Sequence, residues 1–167
     1  MNRLMENKKA QQVMGMPFGM IFAILLIIVF VVIAFIAVGY FLDIGKSSGV
    51  GMFYRELQNA VNDAYSGQSS EMNFDIDLPS NIKFVCFANL SKEITNRGVE
   101  YDAIKNYDVY NANVFLVPPE YAQNMQWKFI KYLDITKTTL VKNPYCVNIE
   151  DGLKINKGFY DKLVWIE

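Results

Sequence analysis

The residues with the clearest covalent chemistry are two cysteines, Cys86 and Cys146. An even pair in short apolar runs reads as one disulfide, with two buried free thiols as the alternative. Neither reads as a nucleophile, because the chain has no histidine to activate a thiol. The same absence removes the commonest general base and the commonest metal ligand. Asp75 and Asp77 stand two apart in an alternating run and share one face of a strand, a solvated face rather than a cation site or an acid/base pair. Gly45-Lys46-Ser47 has the ending of a phosphate loop, yet Tyr40 occupies the position where that loop needs its first glycine. Asn89-Leu90-Ser91 is an acceptor triplet for N-glycosylation. Metal-ligand clusters, a G-x-S-x-G elbow and a glycine-rich dinucleotide loop are missing. The sequence therefore points away from an enzyme and calls for no cofactor and no metal.

What positions these residues is set by residues 14–42, a run without an ionisable side chain other than Tyr40. Between Phe18 and Leu42, 18 of 25 residues are Ile, Leu, Val or Phe. As a helix that stretch is about 37 Å long, against a hydrocarbon layer of about 30 Å. Its apolar residues show no 3.6-residue stripe, so the helix needs an apolar surround on every side, which lipid or the middle of a helical bundle provides. Insertion is favoured by roughly 5 to 11 kcal/mol, an upper figure because off-centre positions count less. Residues 1–13 carry Arg3, Lys8 and Lys9 against Glu6, which places them in the cytoplasm and the rest of the chain outside. A cleaved secretory signal is the rival reading, with Ala37-Val38-Gly39 as the nearest cut site, but the apolar region is far longer than such signals need.

The leader ends Lys8-Lys9-Ala10-Gln11, directly ahead of the apolar run. That arrangement resembles the N-terminus of archaeal type IV pilins and flagellins, over about the first 35–40 residues. The resemblance implies a cut between Ala10 and Gln11 and an apolar helix that becomes the core of a surface filament. Many members carry glutamate as the fifth residue after the cut, where this chain has Gly15. Gly15, Gly19 and Ala23 recur every four residues and form a small-residue ridge of the kind that lets helices approach closely. Pro17 marks the expected helix start.

Residues 43–70 read as a juxtamembrane segment: a glycine- and serine-rich hinge over 45–51, then an amphipathic helix with Phe53, Leu57, Val61 and Ala64 or Tyr65 on one face, ended by Ser66-Gly67. From residue 72 the period becomes two. Strands are expected at 72–78, 82–88, 99–104, 112–117, 127–135, 145–149, 153–156 and 163–166, with Asp151-Gly152 joining two of them as a tight hairpin. Residues 71–167 thus form a β-rich extracytoplasmic domain, an antiparallel sheet or small β-sandwich, and the fold class is α+β. Phe84, Phe87, Phe115, Trp127, Phe129 and Trp165 read as core rather than a ligand box.

After the span the chain holds 13 basic and 16 acidic residues, so no basic stripe exists for nucleic acid. Two functions fit. One is a pilin-like structural subunit that self-associates through its apolar helix; the other is a single-pass membrane-anchored binding domain with an uncut signal anchor and a surface protein partner.

Overall fold

The computed structural model describes residues 6–167, and of residues 6–17, 43, 44, 46 and 47 the backbone alone. The chain divides into two compact units, one ending at Ile44 and one spanning Gly45–Glu167. Helix α1, Glu6–Ser66, contributes to both. It begins ahead of Pro17, which therefore lies in the helical span; one missing N–H leaves the neighbouring i→i−4 bonds in place.

Residues 45–51 are helical, not a hinge. Glycine in a helix costs about 1 kcal/mol relative to alanine, and packing overrides that. Val50 and Phe53 are buried in the core, and a Cβ on Gly49 or Gly51 would stand 3.6 Å from Pro79 or 3.8 Å from the Met125 sulfur. The glycines are contact points between helix and head. From there Tyr54, Leu57, Val61 and Ala64 follow at helical spacing, all buried. Gly67 and its neighbours end the helix, and Lys157 Nζ donates to the carbonyls of Tyr65 at 2.6 Å and Gly67 at 2.7 Å, satisfying groups that a helix end leaves open.

Among the described residues seven strands form two antiparallel sheets. The first is ordered β1-β6-β7, with β1 Ser70–Phe74, β6 Leu153–Lys157 and β7 Trp165–Ile166. The second is ordered β4-β3-β2-β5, with β2 Phe84–Phe87, β3 Val114–Val117, β4 Trp127–Lys128 and β5 Tyr145–Asn148. The α+β expectation holds, and the single sheet or sandwich becomes two sheets whose inner faces share one core with residues 50–64 of α1.

The second sheet is buried on both faces. Val85, Phe87, Val114 and Leu116 face the main core, while Cys86, Phe115 and Val117 face a smaller one. The smaller core is closed by helix α2, Val99–Ile104, and a 3-10 turn at Lys105–Tyr107. A strand was expected at 99–104. The helix forms instead because Ala103, Ile104 and Tyr107 meet the sheet at helical spacing, and Glu100 and Asp102 sit in the first turn, where the helix dipole favours acids.

Three further expectations change. Residues 145–149 and 153–156 are not a hairpin, because β5 pairs with β2 and β6 with β1 and β7. The turn at Asp151-Gly152 carries the chain between sheets; Gly152 has φ 69°, and a Cβ there would meet the Phe74 carbonyl at 3.2 Å. Of 127–135 only Trp127–Lys128 is strand, since Tyr132 turns the chain at φ 64° and helix α3, Ile135–Thr138, follows, capped by the Asp134 carboxylate on the Lys137 amide. Of 72–78 the last part leaves the ladder after Phe74, although Ile76 and Leu78 still pack on the core.

Asn113 is a buried polar bracket. Its side chain donates to the Ile130 carbonyl at 2.9 Å and accepts from the Ile130 amide at 2.8 Å. Asn113→Ala strands both backbone groups next to a fully packed core and is expected to lower stability by about 2–4 kcal/mol. A fall in the urea midpoint at constant m-value is the measurement.

Candidate assembly and binding surfaces

In the first unit the chemistry is that of a surface. Phe18–Leu42 is long and apolar enough to cross a membrane, with mean hydropathy 3.6, and none of it is buried. Phe18, Phe30, Phe35 and Phe41 are all more than 60% exposed and occur on several faces of the helix. Such a surface is stable only against lipid or other helices. Gly19 has nothing within 4 Å of where a Cβ would stand, and Ala23 is exposed, so this part of the ridge is open. Ala10, Gln11 and Gly15 lie outside the residues whose side chains are described.

In the second unit Cys86 and Cys146 are bonded to each other, 60 residues apart in sequence. They are direct partners in the β2–β5 ladder with Cα atoms 4.0 Å apart, the close spacing of a non-hydrogen-bonded antiparallel pair. The backbone N–H and C=O of Cys146 therefore point away from β2, toward the open edge of β5.

Asn89 follows β2 and is half-buried, with its side-chain oxygen accepting from the Ser91 amide at 3.2 Å. Its backbone is clasped by Asn143, which accepts from the Asn89 amide and donates to the carbonyls of Asn89 and Glu93. Asp75 and Asp77 are exposed. Among the aromatics, Phe87 and Phe115 are buried, Phe84, Trp127 and Trp165 are half-buried, and Phe129 is 45% exposed. Trp127 stacks on Tyr110 with ring centres 4.5 Å apart.

Two concave sites are of interest. A cleft of about 690 Å³ runs along the open edge of β5 and is lined by Asp75, Tyr145, Asp151, Lys154 and Glu167 among others. Burial and then the Glu167 carboxylate push the Tyr145 phenol above its ordinary pKa, so it stays a neutral donor. A groove of about 280 Å³ lies between α1 and the β4 segment, lined by Gly51, Tyr54, Arg55, Met125, Lys128 and Ile130 among others. Tyr54 donates to the Met125 carbonyl at 3.2 Å and is buried, which pushes its phenol far above the usual range. Gln58 closes the end of this groove by bonding both backbone groups of Lys131. Nothing in the spacing of the sequence joins Arg55 to Lys128; only the fold does. Among the described residues no cluster of three or more His, Cys, Asp or Glu could hold a metal ion.

A third polar cluster is structural. Asp161 accepts from Lys137 Nζ at 2.6 Å, from the Gly158 amide at 2.9 Å and from the Trp165 indole at 3.2 Å. The Lys137 hydrogen bond, then the Gly158 amide, hold its carboxyl below the ordinary value. A lowered carboxyl favours the folded state fully above the ordinary pKa of 3.8, and that contribution is lost as pH falls through the lowered value. Wild type is therefore expected to be more stable than Asp161→Asn at neutral pH, the gap closing as the pH drops below 3.8, as followed by thermal melts across a pH series.

No family model, curated protein or solved structure matches this chain.

Proposed function

We propose that this chain is a pilin-like structural subunit of a cell-surface filament. It is anchored in the bilayer by residues 14–42 and assembles through that helix. The observation that carries the reading is the division of labour along α1: residues 18–42 bury nothing, while Val50, Phe53, Leu57, Val61 and Ala64 build the core of a β-rich unit. A plain tether has no need of a helix that enters the core of its own cargo, whereas a filament subunit does, because the head must be held on the helix that polymerises. The Lys8-Lys9-Ala10-Gln11 leader and the Gly15/Gly19/Ala23 ridge support the same reading. In this reading the leader is cytoplasmic, residues 43–167 are extracytoplasmic, Asn89 is open to glycosylation there, and the chain performs no catalysis.

Cutting at Ala10–Gln11 has a physical purpose. Arg3, Lys8 and Lys9 would otherwise follow the helix into an apolar core, and each charge costs several kcal/mol there, a few kcal/mol on insertion scales. Once they are gone, an all-round apolar helix exchanges lipid for like helices at little cost. The test is the intact mass of protein extracted from membranes and from sheared surface material. A chain beginning at Gln11, recovered in threads, supports the subunit; a chain beginning at or next to Met1, with no threads, overturns it. In that case the membrane-anchored binding domain takes its place, and the 690 Å³ cleft beside β5 is the surface that favours it.

A further inference from the structure

The two open edges of the β4-β3-β2-β5 sheet carry opposite charge. Beyond β4 lies the groove with Arg55 and Lys128, both exposed, and no carboxylate lines it. Among the described residues neither cation forms an ion pair, since the salt bridges there are Lys105–Asp102 and Lys137–Asp161. Its floor is apolar, from Tyr54, Met125 and Ile130. Beyond β5 lies the turn that carries the chain to the other sheet, with Glu150 and Asp151 exposed at its tip. That turn is firm, because Asn148 accepts the Glu150 amide on its side chain at 3.0 Å and the Asp151 amide on its carbonyl at 3.1 Å. Asp75 and Glu167 add to the acidic side in the adjoining cleft, against Lys154.

We infer that heads associate head to tail, the Glu150–Asp151 turn of one copy seated in the Arg55/Lys128 groove of the next. The two surfaces lie at opposite edges of one sheet, so the contact is heterologous and leaves a free turn at one end and a free groove at the other. Such a contact propagates unless its rotation happens to close a ring. Space of about 280 Å³ accommodates side chains at the tip of a turn rather than a whole strand, which matches a rigid two-carboxylate knob better than a β-ladder. Seated there, the carboxylates reach two cations over an apolar floor, where their attraction is screened less than on an open surface. The inference rests on the subunit reading above, and it supplies that reading with a second contact, made by heads rather than helices.

The test uses the full chain on producing cells. Lys128→Cys with Asp151→Cys is oxidised and run without reductant, beside Ala23→Cys, which reports helix-to-helix assembly alone. A dimer from Ala23→Cys together with a ladder of multimers from the double variant supports the docking. A dimer from Ala23→Cys with no ladder from the double variant overturns the docking and leaves the filament standing; no cross-link from either overturns both. Cross-linking of Lys128→Cys to a protein other than this chain also overturns it. Charge reversal is the second arm: Arg55→Glu in the Lys128→Cys/Asp151→Cys chain is expected to abolish the head ladder. Adding Glu150→Lys restores it, which a mere folding defect would not allow. Failure of that restoration, in protein that keeps Cys86 and Cys146 bonded, overturns the charge pairing.

Discussion

Replacing Cys86 and Cys146 together by alanine is expected to lower the stability of the head by about 4 kcal/mol, because the bond closes a loop of 60 residues and the unfolded chain gains that freedom on its loss. The figure is a large share of the 5–15 kcal/mol typical of a domain, so the variant is expected to be partly unfolded at growth temperature. Position adds to the effect. Cys86 is fully buried in the smaller core and Cys146 lies on an edge strand, so the bond ties the outermost strand of the sheet to its buried interior. Denaturant melts of the detergent-extracted chain, followed by near-ultraviolet circular dichroism, give the shift. Reductant should move wild type down to the variant and leave the variant where it is. A wild type indifferent to reductant, with both thiols free on peptide mapping, would remove the disulfide from the account.

For the proposed subunit, a lysine in the middle of the apolar helix is expected to have the larger effect on assembly. Val29→Lys changes the insertion free energy by about 3–4 kcal/mol, less than the roughly 5–11 kcal/mol that favours insertion, so the chain should still reach the membrane fraction. In a bundle of copies the same lysine meets its own kind in a dry setting, once per subunit, and nothing pairs with it. Threads are therefore expected to disappear while membrane-bound protein persists. The two readouts are sedimentation of membranes and electron microscopy of cell surfaces. Threads of normal length from Val29→Lys would mean that this helix is not their core. Val29→Leu is the control and should behave as wild type.

What the sequence revealed of this fold depended on how local the cause was. The two-sided burial of β2 is written into Phe84-Val85-Cys86-Phe87, which has no polar residue to give to water. The apolar helix and its amphipathic continuation are equally local, because residue type repeats along one element. Pairing is not local. Asp151-Gly152 is a turn, as its residues demand, but the strands either side of it belong to different sheets because β2 and β1 compete for them from more than 50 residues away. Val99–Ile104 contains good strand formers and became a helix because the second face of a sheet had to be covered there. The 45–51 hinge failed for a similar reason, since Val50 and Phe53 pack this stretch of helix into the core formed with distant strands, which its neighbours in sequence do not show. Of these surfaces, the apolar stretch Phe18–Leu42 was legible as a helix, while its start ahead of Pro17 and its run through 45–51 were not. The Arg55/Lys128 groove was not legible at all, because two cations 73 positions apart show no relation until α1 packs beside β4.

The short link between α1 and β1, around Gln68 and Ser69, is exposed and outside any helix or strand, which makes it the natural place for a protease to nick the head. Cutting there would not shed the head. Val50, Phe53, Tyr54, Leu57 and Val61 remain interleaved with both sheets, and their burial contributes on the order of 10 kcal/mol. Lys157 still grips the last carbonyls of the helix from the far side of the cut. A nicked molecule would run as two pieces on a denaturing gel and as one under native conditions.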